Sequence, residues 1–453
     1  MPLAKDLIPV TEKASNVCAY CRVRKQSCDR TLPQCSRCAR IGNKCDYTFD
    51  RKPWVSPRNI SEPIVVHYAP CLHADLSPQG VSVLVRAFTE CTISSCDSYA
   101  QPIFTDLVRE ILGLADVDLR GALEEFNLCF QTWLPIMPQE ALCGFGDDIS
   151  QHDSCNGGVK RPILWLCLWL LTKNTCSNRN HIVGSGLYRA IKQITVIFPS
   201  LSDFTEDLLR INLLIAVFEL GHGLHVPAYQ TMTCCVTLMG RLIFHGPRNA
   251  DCLRVEKIQS FGTGVLTLDC LLAISTTTEL MPLTVASDGI LSKVVTPSKT
   301  GNISTTTSLV SGHVMEYVFA RSQNLEPDET YGEVDEVISG CIKMLIDEPQ
   351  PHSRSHCDAT GMAICSSIVL HASQTRYLNA LLYSVHNNEP LMSTYITSRL
   401  TLAHSRRMAW DMVKAAIHKV RSEDDILSLS FAGLCCVLRA GLVVLDTAEL
   451  VEK

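Results

Sequence analysis

Residues 18–45 read CAYCRVRKQSCDRTLPQCSRCARIGNKC, two copies of C-x2-C-x6-C separated by six residues. The copies are Cys18, Cys21, Cys28 and Cys35, Cys38, Cys45. Two intervening residues let a pair of sulfurs turn toward one ion at about 2.3 Å. The chain has 23 cysteines in 453 residues. At that frequency five further cysteines fall at fixed offsets by chance about 3 times in ten million, so the pattern is a motif. Six thiolates cannot fill two separate four-ligand sites, and no histidine lies between Cys18 and Cys45. Two tetrahedral zinc ions fit if two sulfurs bridge both. Repeat symmetry nominates the first cysteine of each half, Cys18 and Cys35, as the bridges. Cys21 and Cys28 are then terminal on one ion, Cys38 and Cys45 on the other. No position is left open for water, which makes the zinc structural.

The charge around this motif points the same way. Residues 1–60 carry 12 basic and 5 acidic side chains, whereas the remaining 393 carry 28 and 41. A small basic module on a mildly acidic body is expected, and a basic module seeks a polyanion. From Ala14 to Lys52 there are nine basic and three acidic residues. Two zinc ions on six thiolates lower that net charge by two and leave it positive, as duplex binding requires. The alternative from another class is a zinc-stabilised protein-interaction module of RING or LIM type. Those need eight ligands, at spacings absent here.

The segment CAYCRVRKQSCDRTLPQCSRCARIGNKC resembles the DNA-binding domain of the fungal binuclear zinc-cluster transcription factors. The resemblance implies that the helix after the second cysteine enters the major groove and reads a CGG triplet. The matching positions are Arg22, Arg24 and Lys25, with Lys25 on the bases and Arg22 and Arg24 on or beside phosphate. Pro33 matches the family's loop proline. Ser27 departs from the pattern, since the family usually has a basic residue just before the third cysteine, and one phosphate contact is expected to be missing.

Beyond the motif, hydrophobic residues make up 46% of the chain and charged ones 19%, enough apolar material for a sizeable core. The length suggests about three domains or lobes. The longest apolar run, Pro162 to Leu171, is shorter than a membrane span, and no apolar h-region opens the chain. An intracellular protein with reduced thiols is expected, with no membrane partner. Residues 51–80 hold Pro53, Pro57, Pro63, Pro70 and Pro78 and read as a linker. No heptad pattern spans three repeats there, so the chain is expected to be a monomer or a weak homodimer.

Residues 81–447 read as an all-helical regulatory region, giving a mostly α chain with a small two-zinc module at residues 14–50. Val334, Val337, Ile338, Cys341, Ile342 and Leu345 form one amphipathic stripe, and Met408, Met412, Val413, Ala416, Ile417 and Val420 another. Pro227 opens a helix through Phe244, and the runs Ile163–Leu171 and Leu208–Leu220 read as buried helices. Gly144–Lys160, Lys173–Gly186, Asp347–Gly361 and the Ser/Thr-rich Thr296–Ser311 read as loops. The text FQTWLPIMP, around Trp133 and Pro135, and Val217–Phe244 are similar to the helical regulatory region of one class of these fungal regulators. The arginine pair that this class often carries before tryptophans is absent from Cys252–Asp269.

Catalytic signals are few. GxG at Gly144, Gly184, Gly221 and Gly262 lacks the third glycine of a dinucleotide fingerprint, and no P-loop, HExxH or GxSxG occurs. His222 and His225 beside Glu219 are a weak metal candidate against the commoner role of surface or capping groups. Cys234–Cys235 and Cys435–Cys436 read as packing cysteines. The expectation is a nuclear, non-enzymatic, sequence-specific regulator of RNA polymerase II genes. It binds double-stranded DNA and the transcription machinery, holds two zinc ions, and by family analogy controls a secondary-metabolite gene cluster. A zinc-stabilised scaffold and an enzyme with a basic tether are the competing readings.

Overall fold

A computed structural model describes residues 13–14, 17–24, 26–47, 66–68, 74–93, 100–131, 133–137, 160–173, 184–197, 205–245, 252–276, 280–286, 289–295, 303–347, 354–384, 389–420 and 430–452. The chain divides into two compact units, Met1–Pro63 and Ile64–Lys453. The first holds two short helices, α1 (Ala19–Val23) and α2 (Ser36–Arg40). Its core is Cys18, Cys21, Cys35 and Cys38, all fully buried, with Tyr20, Cys28, Cys45 and Tyr47 packed around them. A core of four sulfurs cannot stabilise so small a unit by apolar burial, so metal must supply most of the stability.

The second unit opens with an antiparallel ribbon, β1 (Val66–Tyr68) on β2 (Ala74–Leu76), and continues in helices. These are α3 (Pro78–Ile93), α4 (Ala100–Leu114), α5 (Leu119–Cys129), α6 (Lys160–Thr172), α7 (Gly186–Ile197), α8 (Thr205–Gly221) and α9 (His225–His245). Then come α10 (Cys252–Ser275), α11 (Ile290–Val295), α12 (Ile303–Ser322), α13 (Tyr331–Asp347), α14 (Arg354–Ser384), α15 (Glu389–Lys419), α16 (Phe431–Asp446) and α17 (Ala448–Glu452). Helix α10 touches α8, α9, α11, α12 and α16, and α14 touches α12, α13, α15 and α16. The expected mostly helical body is what forms. Every residue from Pro162 to Leu170 and from Leu208 to Leu220 is buried, because sequences apolar on all sides have no solvent face.

Several sequence expectations need correction. Residues 74–80, read as linker, are structural: buried Asp75 accepts from the backbone N–H of Gly186 and Leu187 at 3.1 and 3.0 Å and pairs with Lys173 at 3.1 Å. A carboxylate at the first turn of α7 satisfies N–H groups that have no partner within the helix. The approach is so close that a Cβ on Gly186 would lie 1.9 Å from the Leu76 carbonyl oxygen. Helix α3 then starts at Pro78, a residue suited to a first turn.

Residues 303–311, read as a loop, form the start of α12. Ser304, Thr305, Thr307, Ser308 and Ser311 are buried there. Thr305 pairs with Thr263 and Ser308 with Thr267, both at 2.7 Å, across the seam with α10. Small hydroxyl side chains let two helices come close and satisfy each other there. Residues 354–361, also read as loop, belong to α14. The remainder of those two segments, 296–302 and 348–353, lies outside the described residues, as do 144–159 and 174–183.

The first stripe is present on α13, with Val334, Ile338, Cys341 and Leu345 buried, although Val337 is exposed. A capping box starts that helix: Thr330 donates its N–H to Glu333 at 2.8 Å and accepts from the Glu333 N–H at 3.4 Å. On α15 the buried line is Ser398, Leu402, Ser405 and Ala409. The second stripe continues that line with Met412, Val413, Ala416 and Val420 half-buried and Met412 packed on the core, while Met408 lies at its edge and Ile417 is exposed.

Segment Val255–Ser275 of α10 is long and apolar enough to cross a membrane by composition. It is a core helix: its buried Asp269 accepts from the N–H groups of Thr284 and Val285, both at 2.9 Å. Trp133 stacks on Phe431 at 6.1 Å, and Arg210 donates to the Ile136 carbonyl at 2.6 Å. Residues Trp133–Met137 of that text are thus an internal strap.

Candidate metal centre and nucleic-acid interface

Each half of the cysteine motif folds alike, a cysteine followed by a short helix and a loop to the third cysteine. Cys35 caps α2, its sulfur accepting from the Cys38 N–H at 3.4 Å. The Ala19 N–H donates to the Asp46 carbonyl at 2.8 Å, and the Tyr47 hydroxyl to the Thr31 carbonyl at 2.9 Å, which closes the second half onto the first. Asp29 accepts from the Ser36 N–H at 3.1 Å and from its hydroxyl. Pro33 follows a cis peptide bond, and Gly42 turns the chain at a φ of +73°.

The sulfurs of Cys18, Cys21, Cys28 and Cys35 lie within 4.8 Å of one another, and so do those of Cys18, Cys35, Cys38 and Cys45. The two sets share Cys18 and Cys35, the pair that repeat symmetry nominated. Tetrahedral zinc with 2.3 Å bonds places its sulfurs about 3.8 Å apart. The observed separations are 3.9 Å for Cys18–Cys35 and Cys18–Cys28, 3.8 Å for Cys21–Cys35, 3.7 Å for Cys18–Cys38 and 3.5 Å for Cys35–Cys45. The donor set therefore fits two zinc ions sharing two thiolates. Without a cation the cluster is unfavourable: burial pushes the thiols of Cys18, Cys21 and Cys35 up. Burial also raises Cys45, but the Cys35 N–H and Tyr47 outweigh it and bring the thiol to about 7. A bound dication inverts this by holding the sulfurs as thiolates.

Of the three residues expected at DNA, Arg24 is exposed just past α1, its guanidinium 4.9 Å from the Tyr20 ring. Arg22 lies on α1 by its backbone, and Lys25 falls outside the described residues. Two further arginines, which the sequence reading did not single out, stand out on α2. Arg37 and Arg40 are exposed and line an open depression together with Ser27, Cys28, Asp29, Ser36 and Ile41. Their i, i+3 spacing on a helix was the available signal.

The body offers no second metal set among the described residues. Glu219 is fully buried and taken by the Tyr188 hydroxyl at 2.6 Å, Lys192 at 3.0 Å and the Thr231 hydroxyl at 2.6 Å. The His222 ring nitrogen sits 2.7 Å from the Phe218 carbonyl, as a capping group would. Cys235 and Cys436 are buried packing residues, Cys435 is half-buried and Cys234 is exposed. A serine, a histidine and an aspartate do align: His371 contacts Ser405 through Nδ1 and Asp335 through Nε2 at 2.7 Å. Ser405 is 1% exposed, so this row ties α13, α14 and α15 together out of reach of a substrate.

Residues 16–53 match the family model described as the Fungal Zn(2)-Cys(6) binuclear cluster domain. Over 143 residues the chain is 29% identical to "Transcription factor BOA15" of Botryotinia fuckeliana (strain B05.10), covering 32% of this chain and 76% of that protein. No solved structure matches the chain. The first unit is thus a binuclear zinc-cluster domain, with the two-zinc complement that its six sulfurs are spaced to hold.

Proposed function

We propose that the chain is a sequence-specific DNA-binding transcription regulator acting on RNA polymerase II genes in a fungal nucleus. The observation that carries this reading is the shared-sulfur knot with a short basic helix on its surface. Zinc fixes α1 against the cluster, so the residues at its end project from a rigid base. Lys25 reads the bases of a CGG triplet, while Arg22 and Arg24 hold phosphate. Arg37 and Arg40 beside Ser27 restore the phosphate contact that Ser27 removes. Residues 14–50 are the DNA-binding domain, and the helical body is the regulatory region through which the transcription machinery is engaged. No catalytic step is assigned to it.

The test is a binding titration on CGG and scrambled duplexes at several salt concentrations. Lys25→Ala should erase the preference for CGG, a loss of about 1–3 kcal/mol, because a base contact disappears. Arg22→Ala should weaken both duplexes alike and flatten the salt slope by about one unit. A preference that survives Lys25→Ala overturns the assignment. A zinc-loaded protein that binds neither duplex favours the scaffold reading. Control of a secondary-metabolite gene cluster follows by analogy with the family and is tested by genome-wide occupancy of the tagged protein.

A further inference from the structure

The chain leaves α1 as RKQSCDR, from Arg24 to Arg30, and residues 26–30 form neither helix nor strand. Ser27 is exposed in that segment, one residue before the zinc ligand Cys28. It lines an open depression of about 600 Å³, whose charged residues are Arg37, Arg40 and Asp29. Asp29 accepts from the Ser36 N–H at 3.1 and 3.2 Å and from the Ser36 hydroxyl. Its carboxylate is thus committed to Ser36. Among the described residues no ion pair engages Arg37 or Arg40, and both are exposed. Two cations against one occupied anion leave the depression positive, with a free hydroxyl at its edge.

We propose that Ser27 is a phosphorylation site, and that its phosphate captures Arg37 and Arg40 and so switches off the phosphate-binding side of the zinc module. Three observations select this serine. It is exposed on an irregular segment, where a modifying enzyme has access. Arg24 and Lys25, three and two residues before it, supply the basic pattern that a protein kinase with an acidic substrate cleft recognises. The depression beside it already holds two arginines, the side chains that pair best with phosphate. Ser36 lines the same depression, but Asp29 holds its hydroxyl and Pro33 stands three residues before it. In the transfer the Ser27 oxygen attacks the terminal phosphorus of a nucleoside triphosphate. The new oxygen–phosphorus bond forms as the bond to the leaving nucleoside diphosphate breaks, and the hydroxyl proton passes to the catalytic base of the kinase. A phosphoserine carries a charge of about −1.5 to −2 at neutral pH, which turns the net charge of the depression from positive to negative. Two phosphate contacts are lost to the duplex, while the base reader assigned above is untouched. The switch rests on the DNA-binding reading proposed above.

The test treats the full-length, zinc-loaded chain with a basic-directed protein kinase and magnesium ATP, beside a mock-treated control. Mass spectrometry should place a phosphate on Ser27, and Ser27→Ala should remove it. Titration at several salt concentrations should show affinity for CGG and scrambled duplexes falling by the same factor, about tenfold or more, and the salt slope lower by about two units. In the Arg37→Ala with Arg40→Ala variant the same modification should cost much less and leave the slope where it was, because the arginines it captures are gone. No phosphate on Ser27, or a phosphorylated chain that binds as the control does, overturns the proposal. An equal loss in the arginine variant overturns the capture of Arg37 and Arg40. Failure of the DNA-binding reading has its own signature, a mock-treated chain that binds neither duplex, and it overturns the switch as well.

Discussion

The sulfurs of Cys18 and Cys35, seventeen residues apart, lie 3.9 Å from each other and belong to both four-sulfur sets. That relationship distinguishes the six cysteines functionally. Cys18→Ser or Cys35→Ser removes a ligand from both ions and should abolish binding of both. Cys45→Ser touches one set and should leave about one zinc per chain. Metal analysis of the purified variants decides it. A wild type with one zinc, or a Cys18→Ser variant that keeps two, contradicts the shared-ligand geometry.

Metal removal should separate the two units. The first contributes only two five-residue helices, and its core consists of cysteines. A strong chelator should therefore end DNA binding while leaving far-ultraviolet circular dichroism almost unchanged, since the helices α3 to α17 have their own apolar core. Loss of most helical signal on chelation would show that the body depends on the zinc.

Arg37 and Arg40 should act as phosphate contacts. Both are exposed, beside the Ser27 position. Arg37→Ala with Arg40→Ala should weaken CGG and scrambled duplexes by the same factor and lower the salt slope by about two units. A change in the ratio between the duplexes would instead make one of them a base reader.

How much of this was legible in the sequence depended on where each residue's partner lies. The cysteine set was legible because its ligands are local and their spacing is fixed by the ion. Buried helices were legible where apolar residues fill every side, as from Leu208 to Leu220. The Ser/Thr run before Ser311 misled because the hydroxyls of Thr305 and Ser308 are satisfied by Thr263 and Thr267, about forty residues away. Asp75 gave no signal for the same reason, its partners being Gly186 and Leu187. On α15 the apolar residues fall on two faces, and periodicity alone does not tell a core face from an exposed one.

Glycine replacements should have opposite signs at two positions. At Gly186 a Cβ would overlap the Leu76 backbone, which has no free rotamer to yield. Gly186→Ala should lower stability by about 2–4 kcal/mol. At Gly340, exposed within α13, a Cβ meets nothing within 4 Å. Gly340→Ala should raise stability by about 0.5–1 kcal/mol through helix propensity. Urea midpoints of the two variants test both, and equal shifts would mean that the ribbon does not press on α7 as described.

Burial of Asp269 should give the body a pH dependence whose sign follows from its raised carboxyl. Burial raises its carboxyl to about 6 from 3.8, and the donors from Thr284 and Val285 offset only part of that rise. The folded state therefore holds this proton more tightly than the unfolded chain does. Its contribution is complete below about 4 and is lost as pH rises through about 6. Two units correspond to at most about 3 kcal/mol. Other carboxylates titrate in the same window, so the comparison is with Asp269→Asn, which cannot titrate. Stability of the wild type relative to this variant, measured by urea unfolding at pH 4, 5, 6 and 7, should fall from pH 4 to 6 and then level. A difference that is flat, or that grows with pH, would mean that the three donor contacts from Thr284 and Val285 outweigh burial at this carboxylate.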